Sequence, residues 1–419
     1  MPAQQVARPT PTRLAGARLP AALQSLRHRN YRLLWVGTLI SNSGDWMDQI
    51  ALNWLVYQLS GSPVQLALLN LCRLTPIFIF TLLGGVIADR VERRRLLSTT
   101  QLVAMLLAVV LATLTATGLV QIWMVLLIAI GRGIVLSFNQ PARQSLISEL
   151  VPREDLRNAI ALNSATLNLT RVVGPTIGGL LIATVGVAGA FYLNAASFLG
   201  VLYALALMRF PERPARAATA GVLADLVGGL SYIASRPALR TLVVLALAPF
   251  ILGMPYMTML TVFASDVLRV GGGGLGLLTA CSGIGAVAGA LWVAAQADRL
   301  PLGRLMLTGM ICFGASIVAF SLSGWFWLSV PLLLAVGASQ QVYMASNNAL
   351  IQTSVEEEYR GRVLSTLFLN RGMVPLGTMI AGVGTALYGA QAALAAMGAA
   401  LLVLALVASA VSPAARELD

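Results

Sequence analysis

The architecture follows above all from residues 33–57, which read LLWVGTLISNSGDWMDQIALNWLVY. A helix needs about 20 residues to cross the hydrocarbon core of a bilayer, and this segment is long enough. Two aspartates, Asp45 and Asp48, lie midway along it. A carboxylate in hydrocarbon is costly, so such residues are rare there and usually mark a pathway for ions or substrate. The segment therefore predicts a membrane helix with a functional polar face.

Similar apolar segments recur along the whole chain. Of the 419 residues, 58% are hydrophobic and only 11% are charged, whereas a soluble domain is about 25% charged. The apolar runs are continuous, which favours helices over the alternating segments of about 10 residues that membrane barrels use. We predict an all-α membrane protein of twelve transmembrane helices, at 33–57, 64–88, 96–117, 121–140, 158–184, 188–208, 241–264, 274–297, 304–322, 325–346, 362–387 and 391–411.

The basic residues predict the orientation in the membrane. The net charge is +12, and every basic residue is an arginine. The arginines fill the N-terminal arm and every second connection, including Arg143, Arg153 and Arg157 after the fourth span, whereas the opposite connections contain only Arg269. This asymmetry predicts that both termini lie in the cytoplasm, and the membrane is expected to be a bacterial inner membrane. It explains the charge better than nucleic-acid binding, which needs a basic patch on a soluble face.

The chain divides near its middle. We expect a cytoplasmic arm at 1–32, a six-helix bundle at 33–208, a cytoplasmic linker at 209–240, a second bundle at 241–411 and a tail at 412–419. The linker is expected to contain an amphipathic helix, because Leu223, Leu226, Leu230 and Ile233 follow helical spacing. Matching sequences at 88–90 and 297–299, and the repeated spacing of Arg171 and Pro175 in Arg371 and Pro375, indicate two pseudo-symmetric halves.

Two motifs resemble the signatures of the major facilitator superfamily. The first joins the second and third spans and reads Gly85-Val86-Ile87-Ala88-Asp89-Arg90-Val91-Glu92-Arg93-Arg94, with Glu92 where the family usually has glycine. The second lies in the fifth span and reads Gly174-Pro175-Thr176-Ile177-Gly178-Gly179, with Thr170 where the family has glycine. The resemblance implies that conformational gating depends on Gly85, Asp89, Arg90, Arg93, Gly174, Pro175, Gly178 and Gly179. The second motif is similar to that of the export branch.

A finer resemblance covers residues 139–163. The segments Asn139-Gln140-Pro141-Ala142-Arg143-Gln144 and Val151-Pro152-Arg153-Glu154-Asp155 look like those of the branch that exports enterobactin, macrolides and other drugs. The superfamily resemblance implies that spans one, four, seven and ten line a substrate cavity. The corresponding positions here are Asn42, Asp45, Gln49, Arg132, Met254, Tyr256, Gln340, Tyr343 and Asn347. Met254 and Tyr256 could equally be helix-packing residues, and Pro249 and Pro255 predict a kink in the seventh span.

The charged residues within the spans suggest how transport is coupled. Asp45 and Asp48 share a helix face, and Arg73, Arg132 and Arg171 lie at mid-depth in other spans. Because buried charges need partners, we expect at least one Asp–Arg pair in the N-terminal half. Proton coupling is predicted at Asp45, Asp48, Arg132 and Arg171. The alternative is a static ion pair that holds the helices in register. The excess of arginine would suit an anionic or polyphenolic substrate; the alternative is that backbone carbonyls bind the extra guanidinium groups.

The predicted function is secondary active export of amphipathic small molecules, such as drugs or siderophores, by proton antiport and alternating access. An uptake symporter or a lipid transporter on the same fold remains the alternative. An enzyme is disfavoured, because the spans hold no catalytic constellation, and no nucleotide-binding loop or cofactor motif is found. The expected partners are substrate, protons and lipids, the expected state is a monomer, and the only histidine, His28, is expected to be solvated.

Overall fold

The computed structural model describes residues 21–208, 231–296, 300–355 and 372–411. Within these ranges, the side chains of 21–22, 81–83, 85–86, 88–90, 237–241, 354 and 411 lie outside the described part. The regular structure of the described residues is entirely helical. The predicted all-α class is therefore confirmed.

A 3-10 helix at Ala21–Arg27 precedes the long helices, and the first six of these follow one another through short turns. The first six are α1 (Arg29–Ser60), α2 (Pro63–Arg90), α3 (Arg93–Ala116), α4 (Ile122–Leu150), α5 (Arg153–Thr184) and α6 (Gly186–Leu207). The seventh, α7, is built from the α-helix Pro237–Ala248, the π-helical turn Pro249–Gly253, the α-helix Tyr256–Val262 and the π-helical turn Phe263–Val267. The remainder are α8 (Gly271–Gln296), α9 (Leu302–Ser321), α10 (Phe326–Ser354), α11 (Val374–Tyr388) and α12 (Ala390–Val411).

Nine of the helices in the described ranges are long and apolar enough to cross a membrane. The helices α1, α5 and α11 are not among the nine. Charged residues lower the mean hydropathy of α1 and α5, including Asp45 and Asp48 in α1 and Arg171 in α5. The helix α11 is only 15 residues long as described. The multi-pass membrane architecture is thus established, and the count of twelve spans stays a prediction.

The turn between α1 and α2 shows how the chain reverses direction. Gly61 adopts the left-handed conformation, with φ of 59°, and its N–H donates to the Tyr57 carbonyl at 2.8 Å. Pro63 then occupies the first turn of α2, where its fixed φ suits a helix and its missing N–H costs nothing. We call this end of the bundle the distal end. The opposite end, which holds Ala21–Arg27, is the proximal end.

Two prolines interrupt α7, as the sequence predicts. Pro249 begins a π-helical turn, in which the Met254 N–H donates to the Pro249 carbonyl at 2.8 Å. Pro255 follows in the break before the next helical segment. Proline removes a backbone donor and crowds the preceding turn, so the helix cannot continue regularly through either position.

Three helices extend further than their predicted spans at the proximal end. The helix α4 continues to Leu150 instead of residue 140, α5 begins at Arg153 instead of 158, and α10 ends at Ser354 instead of 346. The extension of α4 is stabilised by packing, because Leu146 and Ile147 are buried in a cluster with residues of α1 and α3. Hydropathy marks the width of the hydrocarbon layer, whereas the helix ends where its packing ends.

We call α1–α6 the N-terminal half and α7–α12 the C-terminal half; in the described residues the two contact each other mainly along α5–α8 and α2–α11. Within the N-terminal half α1 packs on α6 and α2 on α4, and within the C-terminal half α10 packs on α8 and α9. Most of the predicted linker helix lies outside the described residues, including Leu223, Leu226 and Leu230, whereas Ile233 is buried in the helical segment 231–235. The second copies of the repeated sequences, at 297–299 and Arg371, also lie outside the described residues.

Candidate functional site

An ion pair joins α1 to α4 inside the N-terminal half. The Arg132 guanidinium contacts the Asp48 carboxylate directly, and the Asn194 amide of α6 donates to Asp48 Oδ1 at 3.0 Å. The Asp48 side chain is 4% exposed. A carboxylate this deeply buried is stable only with a charge partner and hydrogen bonds, and both are present. The predicted Asp–Arg pair is confirmed.

Asp45 occupies a different environment one helical turn away. Its Oδ1 lies 3.6 Å from Arg132, so one guanidinium faces two carboxylates. The Asp45 side chain is 40% exposed. Arg132 therefore has one enclosed partner and one that solvent can reach.

A cavity opens beside these charges. Its volume is about 280 Å³, close to the lower end of the range of about 300–1,000 Å³ for small-molecule sites. Its charged and amide lining comprises Asn42, Asp45, Asp48, Gln49, Arg73, Gln101, Arg132, Asn139, Gln140 and Arg143. Apolar side chains, including Trp46, Leu167 and Phe198, complete the wall. The lining suits a ligand with both polar and apolar parts.

Arg143 corrects the sequence interpretation, which assigned it to a cytoplasmic connection. It lies inside α4, is 7% exposed, and lines the cavity. Its guanidinium donates to Asn42 Oδ1 at 2.7 Å and to Asn139 Oδ1 at 2.9 Å. The spacing of Asn139 and Arg143, four residues apart on one helix, was the signal that could have placed both on one face.

Arg73 and Arg171 have neutral partners. Arg73 donates to Gln49 Oε1 at 3.2 Å in the same cavity. Arg171 lies between the halves, where it donates to Gln340 Oε1 at 3.1 Å and approaches the Met257 sulfur at 3.8 Å. The structure does not bring Arg171 into an ion pair with Asp45 or Asp48. Its role in proton coupling stays a prediction.

The structure separates the predicted cavity residues into two groups. Asn42, Gln49 and Arg132 line the cavity of the N-terminal half. The other predicted residues belong to the C-terminal half and are absent from the described lining of that cavity; they are Met254, Tyr256, Gln340, Tyr343 and Asn347. Tyr256 packs edge-on against Phe313 and hydrogen-bonds Ser282 and Gln340. Substrate contact by this second group stays a prediction.

The glycines of α5 allow this helix to pack closely against α1 and against α8. A methyl group on Gly174 would lie 2.7 Å from the Ser43 carbonyl oxygen, and one on Gly178 would lie 3.0 Å from the Met47 Cα. One on Gly179 would lie 2.6 Å from the Cα of Gly276 in α8. Pro175 is buried between them. The motif therefore packs α5 directly against the α1 segment that carries Asp45 and Asp48.

The first motif is only partly described. The side chains at Gly85, Asp89 and Arg90 lie outside the described part, although their backbone continues α2. Arg93 forms an ion pair with Glu149, which joins the start of α3 to the end of α4. Glu149 was not singled out from the sequence, because its distance of 56 residues from Arg93 gives no local signal.

His28 is more constrained than expected. Its Nε2 lies 2.6 Å from Asp155 Oδ2, and Arg27 NH2 lies 2.7 Å from the same oxygen. Nearby, the Ser25 N–H donates to Asn158 at 2.9 Å, and the Tyr31 hydroxyl donates to the Ala159 carbonyl at 2.8 Å. These contacts hold residues 25–31 against the proximal end of α5. The hydrogen bond to His28, followed by the contact with Arg27, lowers the pKa of Asp155 against the opposing effect of burial.

Known proteins share this sequence pattern over nearly the whole chain. A family described as transmembrane secretion effector matches residues 20–418. The chain belongs to this family of the major facilitator superfamily. The protein is therefore a membrane transporter and not an enzyme.

Several transporters resemble this chain. The staphyloferrin A transporter of Staphylococcus aureus is 26% identical over 85% of this chain and 89% of its own length. The multidrug efflux pump Tap of Mycolicibacterium fortuitum is 28% identical over 92% of this chain and 96% of its own. The enterobactin exporter EntS of Shigella flexneri is 30% identical over 68% of each chain.

Solved structures show the same fold at low sequence identity to this chain. A bacterial homologue of the lysosomal transporter Spinster, in an inward-facing and unoccupied conformation, superposes with a TM-score of 0.71, 16% identity and coverage of 93% of this chain and 97% of that one. A peptide transporter of the POT family superposes with a TM-score of 0.74, 14% identity and coverage of 93% and 95%.

Proposed function

We propose that this transporter exports amphipathic small molecules in exchange for protons. The observation that carries the proposal is the arrangement of Asp45, Asp48 and Arg132 beside the cavity, in which one buried guanidinium faces an enclosed and an accessible carboxylate. Relatives named for multidrug efflux and enterobactin export support the direction. The mixed polar and apolar lining supports the substrate class.

The coupling step uses the competition between the two carboxylates for Arg132. A proton on Asp45 removes one negative charge that faces the guanidinium, so Arg132 is then held by Asp48 alone. Loss of that proton restores the second attraction and draws α1 and α4 together through Arg132. Because α1 packs directly on the glycines of α5, and α5 packs on α8, a shift of α1 would reach the contact between the halves.

Alternating access requires the halves to separate at one end while they touch at the other. Three contacts across the halves lie at or distal to mid-depth: Tyr57 with Asp266, Gly179 with Gly276, and Arg171 with Gln340. They support a state closed at the distal end. Rocking of the two six-helix bundles would break them and expose the cavity on that side.

The orientation follows from the arginines. Arg27, Arg29, Arg93, Arg153 and Arg236 all lie at the proximal end, whereas Arg269 is at the distal end. The excess of arginine favours a cytoplasmic proximal end. The proposal is a monomer with twelve spans in a bacterial inner membrane, with both termini in the cytoplasm and substrate leaving at the distal end.

The test is drug and siderophore accumulation in an efflux-deficient bacterium that expresses the chain. Wild type should lower accumulation, a protonophore should abolish the effect, and Asp45→Asn/Asp48→Asn should behave like the empty vector. Glu154→Gln, which removes an exposed acid at the proximal end, is the matched control and should export normally. Equal export by the double variant would reject the carboxylates as proton carriers, and proton-driven uptake of the same compounds would reject export.

A further inference from the structure

We propose that Arg143, with Asn42 and Asn139, forms a carboxylate-binding subsite at the proximal side of the cavity, separate from the Asp48–Arg132 pair. The subsite deepens the proposed function, on which it rests for its role in transport, by naming the substrate class as amphipathic carboxylates. It was not apparent from the sequence, where Arg143 was assigned to a connection.

Among the described residues, the charge of Arg143 has no counter-charge in direct contact with it. Arg143 is buried, and both of its described hydrogen-bond partners are neutral amides. No carboxylate of the described residues lies within ion-pair distance of it. Asp45 attracts Arg143 only from beyond ion-pair distance, and a buried cation without a directly bonded counter-ion is costly. The described lining of the cavity holds three guanidinium groups against two carboxylates, so one positive charge is left for a ligand to neutralise.

Arg143 and Asn42 have hydrogen-bond donors that the described contacts do not use. A guanidinium has five N–H donors, and the described contacts of Arg143 involve its NH1 and NH2 groups only. Its Nε is buried and has no partner among the described residues, and the same is true of Asn42 Nδ2. Both residues line the cavity. Free donors on two adjacent side chains call for a ligand group that only accepts hydrogen bonds.

The cavity lining favours a single carboxylate over anions of higher charge. A carboxylate accepts hydrogen bonds only and matches the planar fork of a guanidinium. Asp45 lines the same cavity and is partly exposed, so it repels a ligand of higher negative charge, such as a phosphate dianion, more strongly than a single carboxylate. Asn42 and Asn139 fix the guanidinium before the ligand arrives, which limits the entropy lost on binding. The apolar wall then receives the rest of an amphipathic molecule.

The test is equilibrium binding to the purified full chain in detergent, without any proton gradient. The probes are a rhodamine that carries a free carboxylate and the methyl ester of the same dye, measured by fluorescence anisotropy. Wild type should bind the acid roughly tenfold more tightly than the ester, the ratio expected from one charge-assisted hydrogen bond. A wild type that binds the acid no more tightly than the ester, or binds neither, overturns the subsite.

The variants separate Arg143 from the general charge of the cavity. Arg143→Gln should abolish the preference for the acid and leave the affinity for the ester nearly unchanged, and Arg143→Lys should keep part of the preference because it keeps the charge. Arg73→Gln removes a positive charge from the same cavity but no Arg143 donor, so it should reduce the preference for the acid less than Arg143→Gln does. If Arg143→Gln does not fold, the comparison of wild type, Arg143→Lys and Arg73→Gln still decides: loss in Arg73→Gln alone would overturn the proposal.

Binding also separates this subsite from proton-driven export. A preference for the acid that depends on Arg143, in a chain without proton-driven flux, would uphold the subsite and reject the proposed coupling. Proton-driven flux in a chain that does not distinguish acid from ester would uphold the proposed coupling and reject the subsite.

Discussion

Asp45 and Asp48 are three residues apart and chemically identical, and the fold gives them unlike surroundings. Asp48 is enclosed between Arg132 and Asn194, whereas Asp45 is partly exposed in the cavity, 3.6 Å from the same guanidinium. Helical spacing predicts that they share a face, but it carries no information on which one is buried. The enclosed residue should matter more for stability, and the accessible one for proton exchange.

Asp48→Asn should destabilise the protein more than Asp45→Asn. Removal of the enclosed carboxylate leaves Arg132 without its direct partner, and breaking a buried pair costs on the order of 3 kcal/mol. Loss of the exposed carboxylate leaves that pair intact. Thermal unfolding of the purified variants, followed by intrinsic fluorescence, measures the difference. Equal losses of stability would mean that Asp45 and Asp48 stabilise the Arg132 guanidinium equally.

The sequence predicted the members of this site better than their arrangement. Asp45, Asp48, Asn42 and Gln49 were found because polar residues in an apolar segment are conspicuous. Arg143 was missed because it follows Pro141 in a polar segment that reads as the end of a span. Only the packing of α4 beyond residue 140 shows that this segment is still helix.

At the scale of elements, the glycines of α5 determine how closely three helices approach. Gly178 faces α1 and Gly179 faces α8, so one motif serves two interfaces on different faces of the helix. The sequence predicted close packing from the glycines alone. It did not predict the partner helices, because the contacts of Gly179 are with a segment about a hundred residues away, Gly276.

Gly179→Ala should weaken the contact between the halves. Its methyl group would lie 2.6 Å from the Gly276 Cα, so the α5 and α8 backbones must separate. Overpacking of this kind costs about 1–3 kcal/mol, which thermal unfolding would detect. Gly200→Ala is the matched control, because its methyl group would meet Ile40 at 3.6 Å, an ordinary contact. Equal melting temperatures for both variants and wild type would contradict the close approach.

The attachment of residues 25–31 to α5 should depend on pH, because it includes contacts with the Asp155 carboxylate. The contacts with His28 and Arg27 lower the pKa of Asp155 in the folded protein. Stability from a carboxylate with a lowered pKa is present above its unfolded pKa of about 3.9 and is lost as the pH falls through the folded pKa.

Asp155→Asn should therefore melt at a lower temperature than wild type near neutral pH, with the difference shrinking as the pH falls below about 4. Thermal unfolding across that range measures it, with the exposed neighbour changed in Glu154→Gln as the control. A difference that stays constant into acid would show that the carboxylate charge does not hold the segment.

On the scale of the whole molecule, the contact between halves defines the conformational state. The Tyr57 hydroxyl of α1 donates to the Asp266 carboxylate of α7 at 2.5 Å, near the distal end. Composition and arginine placement predicted a two-half membrane transporter. They could not predict this hydrogen bond, because Tyr57 and Asp266 are far apart in the chain.

Tyr57→Phe should shift the protein towards states open at the distal end. A hydrogen bond to a charged group contributes about 1.5 kcal/mol or more, enough for roughly a tenfold change in population. Pulsed electron spin resonance between labels at Leu119 and Leu322, two exposed distal residues in opposite halves, with the native cysteines replaced by serine, would report longer distances. Tyr192→Phe loses a hydroxyl contact with Thr113 inside one half and should leave the distances unchanged.

The central claim, that Asp45 and Asp48 couple substrate movement to protons, is tested most directly in proteoliposomes with an imposed pH gradient. Wild type should move an amphipathic dye against its concentration gradient in the direction opposite to proton flow, and inversion of the pH gradient should invert the movement. Asp45→Asn/Asp48→Asn should only let the dye run down its own gradient. Dye movement that ignores the pH gradient, or a double variant that still concentrates the dye, would contradict the account.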